Sequence, residues 1–147
     1  MFTSVLPGIW LKNSLDSPMA IESTRIYTKH REMFDDNMTR FIAERPLRDA
    51  LVTLRATATP QESMKIKNHK GACLILAGAG MCNAGRILHH LKHNLWREEA
   101  HLMIVGYQGR GSLGRRLVEH QPMVSIHGEK IRKRDKDACG LYENSNR

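Results

Sequence analysis

Hydrophobic and polar positions along the chain switch between helical and extended spacing. Helical spacing predicts helices at about 16–30, 32–44, 60–69, 86–95 and 113–120. Short apolar runs predict strands at 51–55, 72–77, 101–107 and 123–126. Two of these strands are each followed by a glycine-rich loop and then by a helix. This order predicts an α/β fold, with a mostly parallel sheet flanked by helices on both faces and right-handed crossovers.

The same patterning predicts how the chain is organised. Its 147 residues are about one domain's worth. Residues 1–14 are weakly patterned, and we expect the α/β domain to occupy residues 15–131. A basic run begins at residue 130 (KIRKRDK), and residues 132–147 have no apolar periodicity. We therefore expect residues 132–147 to form a disordered basic tail.

Charge narrows the class of partner. The chain has 23 Lys and Arg against 15 Asp and Glu, a net charge of +8. Such a balance favours nucleic acid first and an anionic membrane second. No apolar run is long enough to cross a membrane and no secretory signal is visible, so we expect a cytoplasmic protein without a membrane partner. Three cysteines without a C-x-x-C pair fit free thiols in a reducing compartment.

The first glycine-rich loop, residues 77–86 (AGAGMCNAGR), follows an apolar strand and precedes a helix. A helix N-terminus offers N–H groups and a positive dipole end, and glycine lets a phosphate approach the backbone. Arg86 adds a cation of bidentate geometry. The spacing matches neither G-x-G-x-x-G nor a Walker motif, which argues against a nucleotide cofactor. A tight strand-to-helix turn would explain the same residues.

The second loop, residues 106–116 (GYQGRGSLGRR), follows the next strand. The carboxyl ends of parallel strands share one edge of a sheet, where ligands bind. Together the two loops predict a cradle for a phosphate backbone, with Arg86, Arg110 and Arg115 as its cations. Two structural turns remain the alternative.

Histidine and cysteine carry weaker signals. His89, His90 and His93 form H-H-x-x-H on the helix after the first loop, without the glutamate of a zinc protease motif. Histidines along a helix flank are the simpler interpretation. Cys82 lies before a helix start, where a thiol pKa can fall, and a catalytic thiol is the less favoured hypothesis.

Several blocks resemble the β-CASP RNA nucleases, a branch of the metallo-β-lactamase superfamily. They are LDSPMAI at 15–21 with Thr24 and Tyr27, Glu62-Ser63, residues 75–93, residues 105–117 and Gly128-Glu129. The resemblance covers about residues 15–131. It implies a cap domain that covers the cleft of a zinc-dependent enzyme and holds RNA while two zinc ions activate a water.

Two departures from that family shape the expected function. Ala79 and Ala84 stand where the family usually has Ser and Gly. The family's zinc-binding H-x-H-x-D-H is missing, and His127-Gly128-Glu129 falls too early to be its late motif. We therefore expect a truncated β-CASP cap that holds no zinc and is inactive alone.

The resulting hypothesis is an RNA-binding cap domain of a zinc-dependent RNA hydrolase. The expected RNA-contacting residues are Asp16, Ser17, Gly78, Gly80, Arg86, Gln108, Arg110, Ser112 and Arg115. No catalytic or metal-binding residue is assigned. The alternative is a non-catalytic remnant, or a protein-interaction module that pairs with a separate lactamase-type domain or with itself.

Overall fold

Strands and helices alternate in the computed structural model, which describes residues 12–44, 54–134 and 138–140. The helices are α1 Pro18–Lys29, α2 Asp36–Glu44, α3 Pro60–Ile66, α4 Ile87–Asn94 and α5 Leu113–Val118. The strands are β1 Lys12–Asp16, β2 Leu54–Ala56, β3 Cys73–Ala77, β4 Leu102–Ile104, β5 Met123–Ile126, β6 Glu129–Arg132 and β7 Ala138–Gly140. In the described ranges, every helix is too short or too polar to cross a membrane.

The chain divides into two compact units, Met1–Leu76 and Ala77–Arg147. In the first unit β1 lies between β2 and β3. Strands β1 and β2 run parallel, with Asn13 opposite Leu54 and Leu15 opposite Ala56. Helices flank this parallel three-stranded sheet, which confirms the predicted α/β class.

The second unit contains the apolar core. β4 pairs parallel to β7, while β5 and β6 form an antiparallel hairpin. The hairpin turns at His127 and Gly128, both at positive φ, as a two-residue turn between twisted strands requires. The core side chains are Cys82, Leu91, Leu95, Ile104, Leu113, Leu117, Val124 and Ile126.

Helix starts follow the capping residues in the sequence. Ser17 accepts a hydrogen bond from the Ala20 N–H at 3.3 Å, and a proline opens α1. Thr59 and Glu62 form a capping box at the start of α3. Hydrogen bonds from the Thr59 backbone and side chain lower the pKa of Glu62. These contacts confirm the predicted starts of both helices.

The predicted helix at 32–44 is interrupted, which corrects the sequence prediction. A 3₁₀ turn covers Arg31–Met33, and Phe34 is extended. Asp35 then caps α2, because its Oδ1 accepts a hydrogen bond from the Met38 N–H at 2.7 Å. An aspartate at a helix start competes for backbone N–H groups and so favours a new start over a continuous helix.

The ends of the domain differ from the expected boundaries. β1 begins at Lys12, inside the segment expected to be weakly patterned. β6 reaches Arg132 and β7 lies inside residues 132–147, where a disordered tail was expected. Most of the predicted strand at 51–55 lies outside the described residues, as do residues 135–137 and 141–147.

Lys133 is a buried residue at the start of the expected tail. Its Nζ donates to the Leu117 carbonyl at 3.1 Å and lies 3.1 Å from His120 Nδ1. Leu117 belongs to the last turn of α5, whose carbonyls lack helical partners, and a cation there is favourable. Lys133 therefore fastens the segment that follows β6 to the C-terminal end of α5.

Lys133→Ala is expected to lower the free energy of unfolding by about 2 kcal/mol, because hydrogen bonds from a buried charged group are lost. Urea denaturation followed by circular dichroism measures this change.

Lys130→Ala is the matched control, since Lys130 is exposed on the neighbouring strand. Its expected change is within about 0.5 kcal/mol. Equal stability of the two variants would contradict the placement of Lys133 inside the fold.

Candidate nucleic-acid interface

The two glycine-rich loops are bonded to each other within the second unit. Loop A comprises residues 78–86 and loop B residues 105–112. Gln108 Nε2 donates to the Gly80 carbonyl at 3.0 Å. From the start of α5, the Leu113 N–H donates to Asn83 Oδ1 at 2.8 Å and the Gly114 N–H donates to the Met81 carbonyl at 3.0 Å. The sequence predicted that these loops lie together, and the structure brings them together through these three bonds.

The side chain of Gln108 links loop B to loop A. It is buried, and its Nε2 also donates to the Gly106 carbonyl at 3.0 Å. Its Oε1 is buried with no hydrogen-bond partner among the described residues and lies against Gly114. A Cβ at Gly114 would be 1.7 Å from this oxygen. Position 114 must therefore be glycine for Gln108 to reach loop A.

The N–H groups at the start of α5 are hydrogen bonded within the protein. Those of Leu113, Gly114 and Arg115 are the amides that a helix leaves without helical partners. Their acceptors are Asn83 Oδ1, the Met81 carbonyl and Ser112 Oγ. We expected such groups to face a phosphate. They instead satisfy the requirement that buried backbone donors be paired, and they join the helix to loop A.

The start of α4 is closed in the same way. The Ile87 N–H donates to the Gly78 carbonyl at 3.1 Å, and the Leu88 N–H donates to the Gly85 carbonyl at 3.3 Å. Gly85 has a φ of +78°, and a Cβ there would lie 2.7 Å from the Gly78 carbonyl oxygen. Gly78 and Gly85 thus shape a tight turn. Gly80 differs, since it is exposed and a Cβ there would meet no atom within 4 Å.

The three predicted arginines occupy different environments. Arg110 is exposed on loop B and has no hydrogen bond or ion pair within the described ranges. Arg86 is half-buried at the N-cap of α4 and interacts with other groups of the protein. Arg115 is half-buried, and its Nε lies 2.6 Å from Glu119 Oε1. Arg110 is the cation most available to a phosphate.

Asp16 and Ser17 have structural contacts in the first unit. Asp16 is fully buried, and its two carboxylate oxygens accept hydrogen bonds from the Thr57 and Ser63 hydroxyls, each at 2.6 Å. Ser17 is buried as the cap of α1. Both side chains are buried, and the expected contact of Asp16 and Ser17 with RNA stays a prediction.

The expected contact of Gln108 and Ser112 with RNA also stays a prediction. Both are buried, and Ser112 Oγ donates to the Gly109 carbonyl at 2.7 Å while it caps α5. Gln108 Nε2 likewise donates to two carbonyls inside the protein. These two residues therefore position loop B, whose exposed part is Arg110 and Gly111.

Cys82 is buried among the core side chains, and burial raises the pKa of its thiol. The helix-start effect considered from sequence would lower that pKa, so this idea is wrong. A thiol that stays protonated and inaccessible is a poor nucleophile. Cys82 belongs to the core.

The helical histidines lie on α4, as the sequence predicted. The His89 ring packs near the His127 ring, with centroids 5.2 Å apart. Over residues 12–44, 54–134 and 138–140, no group of three or more His, Cys, Asp or Glu side chains is placed to hold a metal ion. These residues do not fit the zinc site that the resemblance implies for the complete family.

Sequence reasoning missed Asn83, Met81 and Gly114, which join loop A to α5. Asn83 and Gly114 lie inside the blocks at 75–93 and 105–117 that resemble the family. That resemblance was the sequence feature that could have pointed to them. The contact of the Met81 carbonyl carries no sequence signal, because any residue supplies a backbone oxygen.

Comparisons with known proteins agree with this geometry. The Beta-Casp domain family matches residues 8–117. Ribonuclease TTHA0252 of Thermus thermophilus is 35% identical over 119 residues, which are 80% of this chain and 27% of that protein. The transcription termination factor FttA of Methanosarcina mazei is 29% identical over 112 residues, 76% of this chain and 18% of that protein. The probable RNase MJ4 of Methanocaldococcus jannaschii is 28% identical over 113 residues, 72% of this chain and 25% of that protein. The chain thus spans about a quarter or less of the curated relatives it matches.

Gly114→Ala is expected to destabilise the protein by about 2 kcal/mol, because the new methyl displaces Gln108. An ordinary Gly→Ala substitution in a helix raises the free energy of unfolding by up to about 1 kcal/mol. A decrease would therefore indicate that the new methyl group clashes with Gln108. Chemical denaturation measures it.

Gly80→Ala provides the control in loop A. Its methyl meets no atom within 4 Å, so the expected change is within about 0.5 kcal/mol. A stabilised Gly114→Ala variant would show that Gln108 does not occupy this place.

Proposed function

Because the chain belongs to the Beta-Casp domain family, we propose that it binds the phosphate backbone of RNA as part of an RNA-processing nuclease. Two of the relatives described above are named ribonucleases. The net charge of +8 supports a polyanionic partner. Binding RNA is the role proposed for this chain, and cleavage belongs to the relatives.

Arg110 is the observation that carries the proposal. Its guanidinium is exposed, while the loop beneath it is held by Gln108, Ser112 and the amides of α5. A cation on a rigid loop loses little conformational freedom when it binds a phosphate. Guanidinium also matches phosphate with two parallel hydrogen bonds.

Gly80 and Arg86 extend the proposed contact along loop A. No described atom lies within 4 Å of the place that a Cβ of residue 80 would occupy, so a phosphate can approach the backbone there. Arg86 contributes positive charge at the start of α4. Arg115 adds positive charge near the loops without contacting a phosphate through Nε, because its Nε is already paired with Glu119.

The role proposed for the described residues is to hold RNA. Among the described residues, no group of three or more His, Cys, Asp or Glu side chains is placed to hold a metal ion. Contacts to phosphates hold RNA in place and carry little sequence information. The proposed binding is therefore tolerant of sequence and strongly dependent on salt.

Arg110→Gln is expected to weaken binding of a single-stranded RNA oligomer and to flatten its salt dependence. The slope of log K against log salt should become less negative by roughly 0.7, the value for one phosphate contact on a single strand. Fluorescence anisotropy at several salt concentrations measures both effects.

Arg25→Gln is the control, because Arg25 is an exposed arginine of α1 already paired with Glu22 at 2.9 Å. It should leave the slope unchanged. Gly80→Ala should weaken binding with little change in slope. If Lys130→Gln combined with Lys136→Gln flattens the slope while Arg110→Gln does not, the basic run binds RNA and the loops are turns.

A second candidate function is suggested by apolar side chains on α1. No residue of α1 is buried, and Met19, Ile26 and Tyr27 are 74%, 58% and 65% exposed. Residues 19, 26 and 27 share one face at helical spacing. Exposed apolar stripes mark interaction surfaces, which supports pairing with a lactamase-type domain or with a second copy.

Self-association is the testable consequence of this stripe. The purified chain is expected to show a concentration-dependent rise in molar mass by light scattering, despite its positive charge. Ile26→Lys should reduce the rise, because it places a charge in the stripe. Thr28→Lys, at an exposed position on the opposite face of α1, should not. A monodisperse monomer at all concentrations would contradict self-association.

A further inference from the structure

An open cleft in the second unit is lined by Trp96, Arg132 and Arg134 and has a volume of about 250 Å³. Trp96 lies in the turn after α4, and Arg132 ends β6. None of the three belongs to loop A or loop B. The cleft therefore combines an aromatic ring with two guanidinium groups, and the proposed contacts of the loops include no aromatic ring.

The backbone fixes this cleft. The Arg134 N–H donates to the Leu95 carbonyl at 3.2 Å, which holds Arg134 beside the turn that carries Trp96. Lys133 lies between the two arginines and is buried against the end of α5. In extended chain, alternate side chains point to opposite faces. The burial pattern follows such an alternation, since Lys133 is buried and Arg132 and Arg134 on either side of it are exposed.

The lining groups are accessible to a ligand. Trp96 is 57% exposed. Arg132 is exposed and has no ion pair with any described residue. Arg134 Nη1 lies 2.8 Å from Glu98 Oε1, but both side chains are 60% exposed. A solvent-exposed pair of this kind is weak and exchanges readily for another anion.

We propose that this cleft binds one nucleotide of single-stranded RNA, with the base stacked on Trp96 and the adjoining phosphate held by Arg132 and Arg134. Indole is a favourable face for a base, and arginine binds phosphate with two hydrogen bonds. An acidic peptide would use the arginines and leave the indole without a planar partner. The choice of RNA as ligand rests on the proposed function, while the cleft is a second contact outside the loops.

Tryptophan fluorescence tests the stacking directly. The chain has two tryptophans, so Trp10→Phe leaves Trp96 as the reporter. An adenosine oligomer should quench its emission in proportion to binding. An abasic oligomer of equal length and a polyglutamate should not quench it. Adenosine monophosphate should quench only at higher concentration, because it makes fewer phosphate contacts.

Affinity variants supply the second readout. Trp96→Leu should weaken binding of the adenosine oligomer about fivefold or more, the loss of one stacked base, and leave binding of the abasic oligomer unchanged. Trp96→Phe should retain most of the affinity. Arg132→Gln should flatten the salt slope by roughly 0.7. Circular dichroism confirms that each variant is folded.

Three results would overturn the cleft assignment: no quenching by the adenosine oligomer, equal quenching by polyglutamate, or equal weakening of both oligomers by Trp96→Leu. Arg110→Gln separates this failure from failure of the proposed function. If Arg110→Gln flattens the slope and Trp96→Leu changes nothing, the loops bind RNA and the cleft does not. If neither variant has an effect, both assignments fail.

Discussion

The hydrogen bonds between loop A and the start of α5 are the constraint on which the second unit depends. Gln108 reaches across to the Gly80 carbonyl, and the Leu113 and Gly114 amides reach back to Asn83 and Met81. The same contact buries Leu113 in the apolar core. A Cβ at position 114 would lie 1.7 Å from Gln108 Oε1 and 3.2 Å from the Met81 carbonyl oxygen, so a side chain there would displace the Gln108 amide.

This arrangement changes how a phosphate can be recognised. Glycine-rich loops before helices commonly bind anions through free backbone amides. Here the corresponding amides of α4 and α5 already have acceptors within the protein. Positive charge reaches the surface through side chains instead, with Arg110 the most exposed at the loops. Such contacts depend on charge and geometry more than on base identity.

Sequence reasoning predicted the parts of the fold that depend on local signals. The helices predicted at 16–30 and 60–69 were found, and the α/β order followed from apolar runs and glycines. The break at Asp35 was missed because a capping aspartate inside an amphipathic pattern looks like a surface residue. The strands after residue 128 were missed because basic side chains hide alternation, and the burial of Lys133 depends on the end of α5.

The site was predictable to a smaller extent. Pattern and resemblance located both loops, but they did not separate exposed residues from supporting ones. Asp16, Gln108 and Ser112 are polar residues in distinctive motifs, and each is buried with partners inside the protein. Whether a polar side chain faces inward or outward depends on neighbours distant in the sequence, such as Ser63 for Asp16. Of the three arginines predicted at the loops, Arg110 is exposed and makes no ion pair with a described residue.

Amide chemical shifts during an RNA titration test most directly whether side chains, rather than backbone amides, bind the phosphates. The Arg110 side-chain Nε–Hε signal should shift as RNA is added. The backbone amides of Leu113, Gly114 and Arg115 should keep their positions and their protection from hydrogen exchange. Large shifts or lost protection at these three amides, with an unchanged Arg110 signal, would contradict the account.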